Sequence, residues 1–136
     1  MENPLIDNNR KSPVSQLQRA LELQLKVAKT GFDWPSWHGA LGKVYEEVDE
    51  VKAELETFYQ DDKKINEELG DLLFAVINVV RHQKSNPDLL LKAATDKFEV
   101  RYNHVEHYVK TLGLTMEQAS DEQMEAGWQY AKQQRK

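Results

Sequence analysis

Glu67-Glu68-Leu69-Gly70-Asp71-Leu72-Leu73-Phe74-Ala75-Val76-Ile77-Asn78-Val79-Val80 begins acidic and then turns apolar on almost every side. A helix of that kind belongs at the centre of a bundle, because no face of it suits water. It is expected to span residues 63–84, behind the short polar turn Gln60-Asp61-Asp62. Upstream, residues 37–59 read as a helix with Leu41, Val44, Val48, Val51 and Leu55 as its inner face and acids crowding its other faces. Before that, Val14, Leu17, Leu21, Leu25 and Ala28 form one apolar helical stripe. Ser12-Pro13 is the expected cap and first helical residue there. Gly31 is expected to end this helix, leaving Gly31-Phe32-Asp33-Trp34-Pro35 as a loop with two large rings.

Downstream, Asn86-Pro87 reads as a cap with a proline start for a fourth helix over 88–112, which Gly113 stops. Thr115-Met116-Glu117-Gln118 reads as the capping box of a short last helix carrying Trp128 and Tyr130. No segment alternates with period two for long enough to make a strand. The expectation is therefore an all-α fold, an antiparallel bundle of four main helices plus a short C-terminal helix. Residues 1–11 read as a flexible leader and 12–136 as one domain. The third helix is apolar on more sides than one small bundle covers, so a homodimer is expected, with pairing into a tetramer left open.

The composition removes several classes of function. The chain has 136 residues, with 18 Lys and Arg against 23 Asp and Glu, a formal charge of −5. At 40% hydrophobic and 30% charged it has the make-up of a globular protein rather than a disordered one. It contains no cysteine, which excludes disulfides, thiolate metal sites and a cysteine nucleophile. Its acidic balance argues against a nucleic-acid partner, which would need a basic stripe. The longest apolar run, Leu72 to Val80, is broken by Asn78 and is less than half of a membrane span, so no membrane partner is expected. Met1-Glu2-Asn3-Pro4 shows neither the basic start nor the apolar stretch of a secretion signal, and a cytoplasmic location is the expectation.

Chemistry concentrates in Glu46-Glu47-Val48-Asp49-Glu50 and Glu67-Glu68-Leu69-Gly70-Asp71. Residues i and i+3 share a helix face one turn apart, so Glu47 pairs with Glu50, and Glu68 with Asp71 on the adjoining helix. Glu-rich stretches are usually solvated faces. Asp71, however, lies among leucines and phenylalanine and is expected to be partly buried, where an unpaired carboxylate is costly. Four converging carboxylates also repel, and a hard cation such as Mg²⁺ or Mn²⁺ relieves both penalties. No Glu has His three residues later, as a di-iron bundle would need, and no glycine-rich phosphate loop is present. An all-oxygen site with room for substrate points to Mg²⁺ acting on phosphates.

Glu46-Glu47-x-x-Glu50 followed by Glu67-Glu68-x-x-Asp71 resembles the signature of the all-α nucleoside triphosphate pyrophosphohydrolases. The surrounding blocks resemble the MazG family in particular: Gly31-Phe32-Asp33-Trp34-Pro35, Lys43-Val44-Tyr45-Glu46-Glu47, Gly70-Asp71-Leu72-Leu73-Phe74-Ala75, and Lys97-Phe98-x-x-Arg101-Tyr102-x-x-Val105-Glu106. The likeness covers roughly residues 16–132 and is to the C-terminal, catalytically competent domain of longer, two-domain members. It implies Mg²⁺-dependent hydrolysis of ribo- or deoxyribonucleoside triphosphates, ATP among them, to the monophosphate and pyrophosphate, with broad base preference. The alternatives are a dUTP or phosphoribosyl-ATP specialist, or a non-catalytic metal-binding helical module.

Glu47, Glu50, Glu68 and Asp71 are thus the expected metal ligands and catalytic set, with Glu46 or Glu67 to orient or deprotonate the attacking water, or else to serve only as neighbouring carboxylates. Lys97 and Arg101 share a face of the fourth helix at i and i+4, and Lys43 precedes the first acidic cluster by one turn. Such charges are often plain salt bridges; the resemblance assigns all three to phosphate oxygens, with Lys64 a weaker candidate. The resemblance likewise places Trp128 against the nucleotide. Trp34 reads equally as loop core or pocket wall, and Asn78 as a satisfied core amide or a group facing sugar or base. His82, His104 and His107 show no ligand pattern and read as surface or packing residues.

Overall fold

The computed structural model describes residues 14–134, and all of its regular structure is helical. The expected leader and the Ser12-Pro13 cap lie outside the described residues. The first helix, α1 (Gln16–Ala28), is capped instead by Ser15, whose hydroxyl accepts from the Gln18 backbone N–H at 3.0 Å. Its buried positions are Leu21 and Gln24, while the expected stripe residue Leu25 is largely exposed. A glutamine at the inner face of α1 is the first departure from the apolar pattern.

Gly31, at φ +94°, turns the chain out of α1 as expected. The loop then leads to Ser36, the cap of α2 (Trp37–Leu55). A Cβ on Gly39 would meet the Trp34 ring at 2.6 Å, so the indole is seated directly on the first turn of α2 where glycine leaves room. The helix stops four residues before the expected Tyr59. Thr57 Oγ1 and Gln60 Nε2 donate to the carbonyls of Glu54 and Leu55, both at 2.8 Å, which satisfies groups a longer helix would have used.

The inward face of α2 differs from the apolar line of the sequence. Ala40, Glu47 and Val51 are buried, whereas Val48 and Leu55 are 44% and 47% exposed. The buried line advances by seven and then four residues, a helical period that passes through a carboxylate. Asp61 then caps α3 (Asp62–His82), accepting from the backbone N–H groups of Lys63 and Lys64. α3 packs against both α2 and α1. It ends in a Schellman turn with Lys84 at φ 61°, the Lys84 N–H bonding Arg81 O and the Ser85 N–H bonding Val80 O.

Within one chain α3 is not enclosed all round. Leu69, Leu73 and Val76, at i, i+4 and i+7, leave an apolar stripe in solvent, and the buried residues are Ile65, Ala75 and Ile77. Asp71 is exposed, contrary to the expectation of partial burial. Its leucine neighbours in sequence point to other sides of the helix, since adjacent positions are about 100° apart.

The contacts divide the chain into two compact units, one through Asp88 and one from Leu89. α4 (Pro87–Thr111) begins with proline at its first position as the sequence suggests. Gly113, at φ +77°, terminates it through bonds from Gly113 N to Lys110 O and Leu114 N to Val109 O. In the second unit Val105, Val109 and Ala131 are buried, with Tyr108, Leu114, Met116 and Trp128 packed around them. α5 (Asp121–Gln133) is capped by Ser120, which exchanges hydrogen bonds with Gln123 in a capping box. The expected box at Thr115–Gln118 makes only its second half, Gln118 Oε1 accepting from Thr115 N at 3.0 Å, and closes a turn rather than starting the helix. No helix among the described residues is long and apolar enough to cross a membrane.

Candidate metal centre and adjoining cavity

Packing α2 against α3 brings Glu47, Glu68 and Asp71 together, each with a carboxylate oxygen within 4.8 Å of those of the other two. Their environments are graded. Glu47 is buried at 7% exposure, Glu68 is half-buried and Asp71 faces solvent. Glu47 Oε1 accepts from Lys43 Nζ at 3.2 Å, but Oε2 is buried with no hydrogen-bond partner. A buried carboxylate oxygen left bare costs several kcal/mol by desolvation alone, roughly the size of the net stability of a small domain. A cation would supply the missing partner, and an all-carboxylate donor set suits a hard divalent ion.

The electrostatics of the trio point the same way. Partial burial, followed by the charges of Glu47, Asp71 and Glu50, pushes the Glu68 carboxyl above its ordinary range. Glu50, an expected ligand, stands outside the three-oxygen cluster, yet its charge is felt at Glu68. Glu46 and Glu67 are exposed, and Glu46 Oε1 is held by Lys43 Nζ at 3.1 Å. Lys43 thus ion-pairs with both Glu46 and Glu47, which raises its pKa. Lys64 is exposed in the first turn of α3.

Beside the carboxylates lies a cavity of about 600 Å³. Lys43, Glu47 and Asp71 line it with charge, as do Asp33 and Arg81; Leu23, Val27, Phe32, Trp34, Phe74 and Ala75 give it an apolar body. Trp34 and Asn78 both line it, as does Gln24. The loop that carries Phe32 and Trp34 is pinned to α3 by Asp33, on which the Arg81 guanidinium closes as a fork, one arm at 3.1 Å. His82 Nε2 lies 3.2 Å from the same carboxylate, and Arg81 Nε donates to Asn78 Oδ1 at 2.9 Å. The hydrogen bond to Arg81 holds the Asp33 carboxyl below its usual range despite some desolvation. This pin, and Gln24 in the cavity wall, are the features that reading the sequence missed. A polar residue three positions after Leu21, on the inner side of α1, was the available signal for Gln24.

Asp33→Asn weakens the pin. The fork keeps one acceptor and sets an amide donor against the other guanidinium arm, and the nearly buried Arg81 loses its counter-charge, a destabilisation of about 1–3 kcal/mol. Because the Asp33 pKa is depressed on folding, its contribution is present above the unfolded carboxylate pKa and lost as pH falls through the folded one. The gap between wild type and Asp33→Asn in denaturant midpoint should therefore close on acidification. A constant gap down to the acid transition contradicts this account.

In the second unit, Lys97 is exposed and Arg101 half-buried. The Arg101 guanidinium carbon lies 5.7 Å from the centroid of the Trp128 ring, which also tilts against Phe98 at 5.7 Å. Trp128 is half-buried against the Val105–Val109–Ala131 core.

Residues 38–106, which take in α2 after its first residue, α3 and most of α4, match the model of the MazG nucleotide pyrophosphohydrolase domain. The chain belongs to the MazG family. It is 42% identical over 118 residues to the nucleoside triphosphate pyrophosphohydrolase of Escherichia coli, covering 87% of this chain and 45% of that one. It is 33% identical over 119 residues to the nucleoside triphosphate pyrophosphohydrolase/pyrophosphatase MazG of Thermotoga maritima, covering 88% and 45%. An uncharacterised protein of Bacillus subtilis, YabN, is 35% identical over 72 residues, which are 53% of this chain and 15% of that protein. This MazG chain thus spans less than half the length of these relatives. The matched segment contains all three clustered carboxylates and Lys43.

Proposed function

We propose that this MazG-family protein hydrolyses nucleoside triphosphates to the monophosphate and pyrophosphate, with Mg²⁺ as its ion and broad tolerance of the base. The observation that carries the reading is the meeting of Glu47, Glu68 and Asp71, one with a bare buried oxygen, beside a nucleotide-sized apolar cavity. Those three carboxylates, with Glu50 on the same side of α2, would hold the ion. Bound there, Mg²⁺ supplies charge neutralisation of the phosphates and activation of water. Mn²⁺ would substitute, being an oxygen-seeking ion of similar geometry.

The remaining steps fall to the protein. Lys43 steadies Glu47 through its ion pair and fixes which oxygen stays available. Phe32, Trp34 and Phe74 exclude water from around base and sugar, and the Asp33–Arg81 pin holds the loop that carries two of them. Glu46 or Glu67 orients the attacking water and takes its proton. Water adds at the α-phosphorus, the bridging P–O bond to the β-phosphate breaks, and pyrophosphate leaves with the electron pair. On the family likeness we assign Lys97 and Arg101 to the phosphates, with Lys64 in a lesser role, and Trp128 to the nucleotide. A homodimer in the cytoplasm completes the proposal, since a second copy would cover the apolar stripe of Leu69, Leu73 and Val76.

Pyrophosphate release from the four common triphosphates, dUTP and phosphoribosyl-ATP, with Mg²⁺ and with EDTA, tests this directly. Turnover of several triphosphates that vanishes with EDTA is the expected result. Turnover of dUTP or phosphoribosyl-ATP alone replaces the broad reading with a specialist, and metal binding without turnover on any of them retires the enzyme.

A further inference from the structure

The cavity contains a second orphan besides Glu47. Gln24 is 8% exposed, and its Nε2 donates to the Phe74 carbonyl at 3.0 Å. That bond fixes which end of the amide is nitrogen and leaves Oε1 as an acceptor that is buried and met by no donor. A bare buried amide oxygen is costly, so it is an odd group for α1 to place in an apolar wall. The neighbouring polar group is its complement. Asn78 lies four residues after Phe74, hence one turn along the same face of α3, and its Oδ1 is occupied by Arg81 Nε at 2.9 Å. The end of the Asn78 amide turned from Arg81 is therefore its donor, Nδ2. Gln24 on α1 and Asn78 on α3 thus bring an acceptor and a donor to the wall of one cavity.

Resting on the triphosphate reading of this site, we propose that Gln24 and Asn78 read the base and favour one bearing an exocyclic amino group. Cytosine and adenine each offer an amino N–H next to an unprotonated ring nitrogen, the match for an oxygen acceptor beside an N–H donor. Uracil and thymine offer the reverse, a carbonyl oxygen beside a ring N–H, which sets oxygen against oxygen at Gln24. The terminal torsion of glutamine is broad, so the amide can turn its buried oxygen toward the base, exchanging the Nε2 bond to the Phe74 carbonyl for one to the base. All bases still enter, because the walls that enclose them are apolar; the two amides grade the preference. A site that hydrogen-bonds one substrate group discriminates strongly against an analogue that leaves it unpaired.

The test is the ratio of kcat/KM for CTP over UTP, and ATP over UTP, in wild type and in Gln24→Met, a variant of similar volume with no polar end. Wild type should favour the amino base by about tenfold or more, and Gln24→Met should bring the ratio to within about twofold of unity. Asn78→Asp, which keeps an acceptor for Arg81 but removes the donor, should also narrow the ratio and serves if Gln24→Met does not fold. A wild-type ratio near unity, or a ratio that survives both substitutions, overturns the assignment while leaving triphosphate hydrolysis intact. If no triphosphate is turned over, calorimetric titration with CMP and UMP decides separately. Preferential CMP binding lost in Gln24→Met upholds the base reader without the hydrolase, and equal binding overturns it.

Discussion

Asp71→Asn should lower kcat by about 10²-fold or more, a barrier increase of about 2.7 kcal/mol, while leaving the melting temperature of the metal-free protein at or above that of wild type. The two effects share one cause. Asp71 is solvent-facing, so an isosteric amide disturbs no packing. Its charge is one of those that push the Glu68 carboxyl upward, so removing it relieves repulsion in the metal-free protein. On the proposed reading, the same charge is needed when an ion and a triphosphate occupy the site. Loss of turnover with retained or improved melting marks a residue selected for function against stability. Near-wild-type turnover in Asp71→Asn would remove it from the catalytic set. The parallel Glu50→Gln variant measures the fourth carboxylate. A loss as large as that of Asp71→Asn makes Glu50 a ligand, and a loss below about tenfold limits it to balancing charge.

Adding Mg²⁺ or Mn²⁺ at about a hundred times its Kd should stabilise the protein by about 2.7 kcal/mol, a rise of several degrees in Tm, and EDTA should abolish both that gain and turnover. The gain should depend on pH in a stated direction. Glu68 has a folded pKa raised above its unfolded one. In the metal-free protein its contribution is therefore full below the unfolded carboxylate pKa, about 4.3, and is lost as pH rises through the folded value. The ion requires the ionised carboxylate, so protons compete with it through that same window. The metal-induced rise in Tm should grow as pH increases and then level off. Glu68→Gln should lose most of the rise and its pH dependence together. A rise independent of pH, or one preserved in Glu68→Gln, would place the ion elsewhere.

Much of this site could be read from spacing alone. Glu68 and Asp71 lie at i and i+3, and any α-helix through them sets both carboxylates on one side. The apolar run after Leu69 announces a helix that needs neighbours, and Pro87, Gly31 and Gly113 mark boundaries because their backbone preferences act locally. Caps were less legible. Ser15 and Ser120 do the work expected of Ser12 and Thr115, because several serines and threonines near a helix start can all accept an N–H, and packing of the following turn chooses among them. The inner face of α2 is legible only in part for a similar reason: Val51 is buried and Leu41 and Val44 half-buried as their spacing predicts, but Val48 and Leu55 are exposed. Hydrophobicity favours Val48 and Leu55, yet the helix is rolled so that Ala40, Glu47 and Val51 turn inward.

The sequence by itself determined the helical class, the two acidic pairs and the family blocks around them, since helical periodicity and residue chemistry need no partner to be expressed. Only the tertiary structure decided that Glu47 is the buried member and Asp71 the exposed one. It also decided that Gln24 keeps an unmatched oxygen buried in a cavity wall and that Asp33 fastens the loop to Arg81. The physical reason is that burial belongs to a pair of surfaces. The roll of α2 and α1 on α3 is set by how side chains interlock, and a shift of a single position would exchange Glu47 for Val48 on α2, or Gln24 for Leu25 on α1.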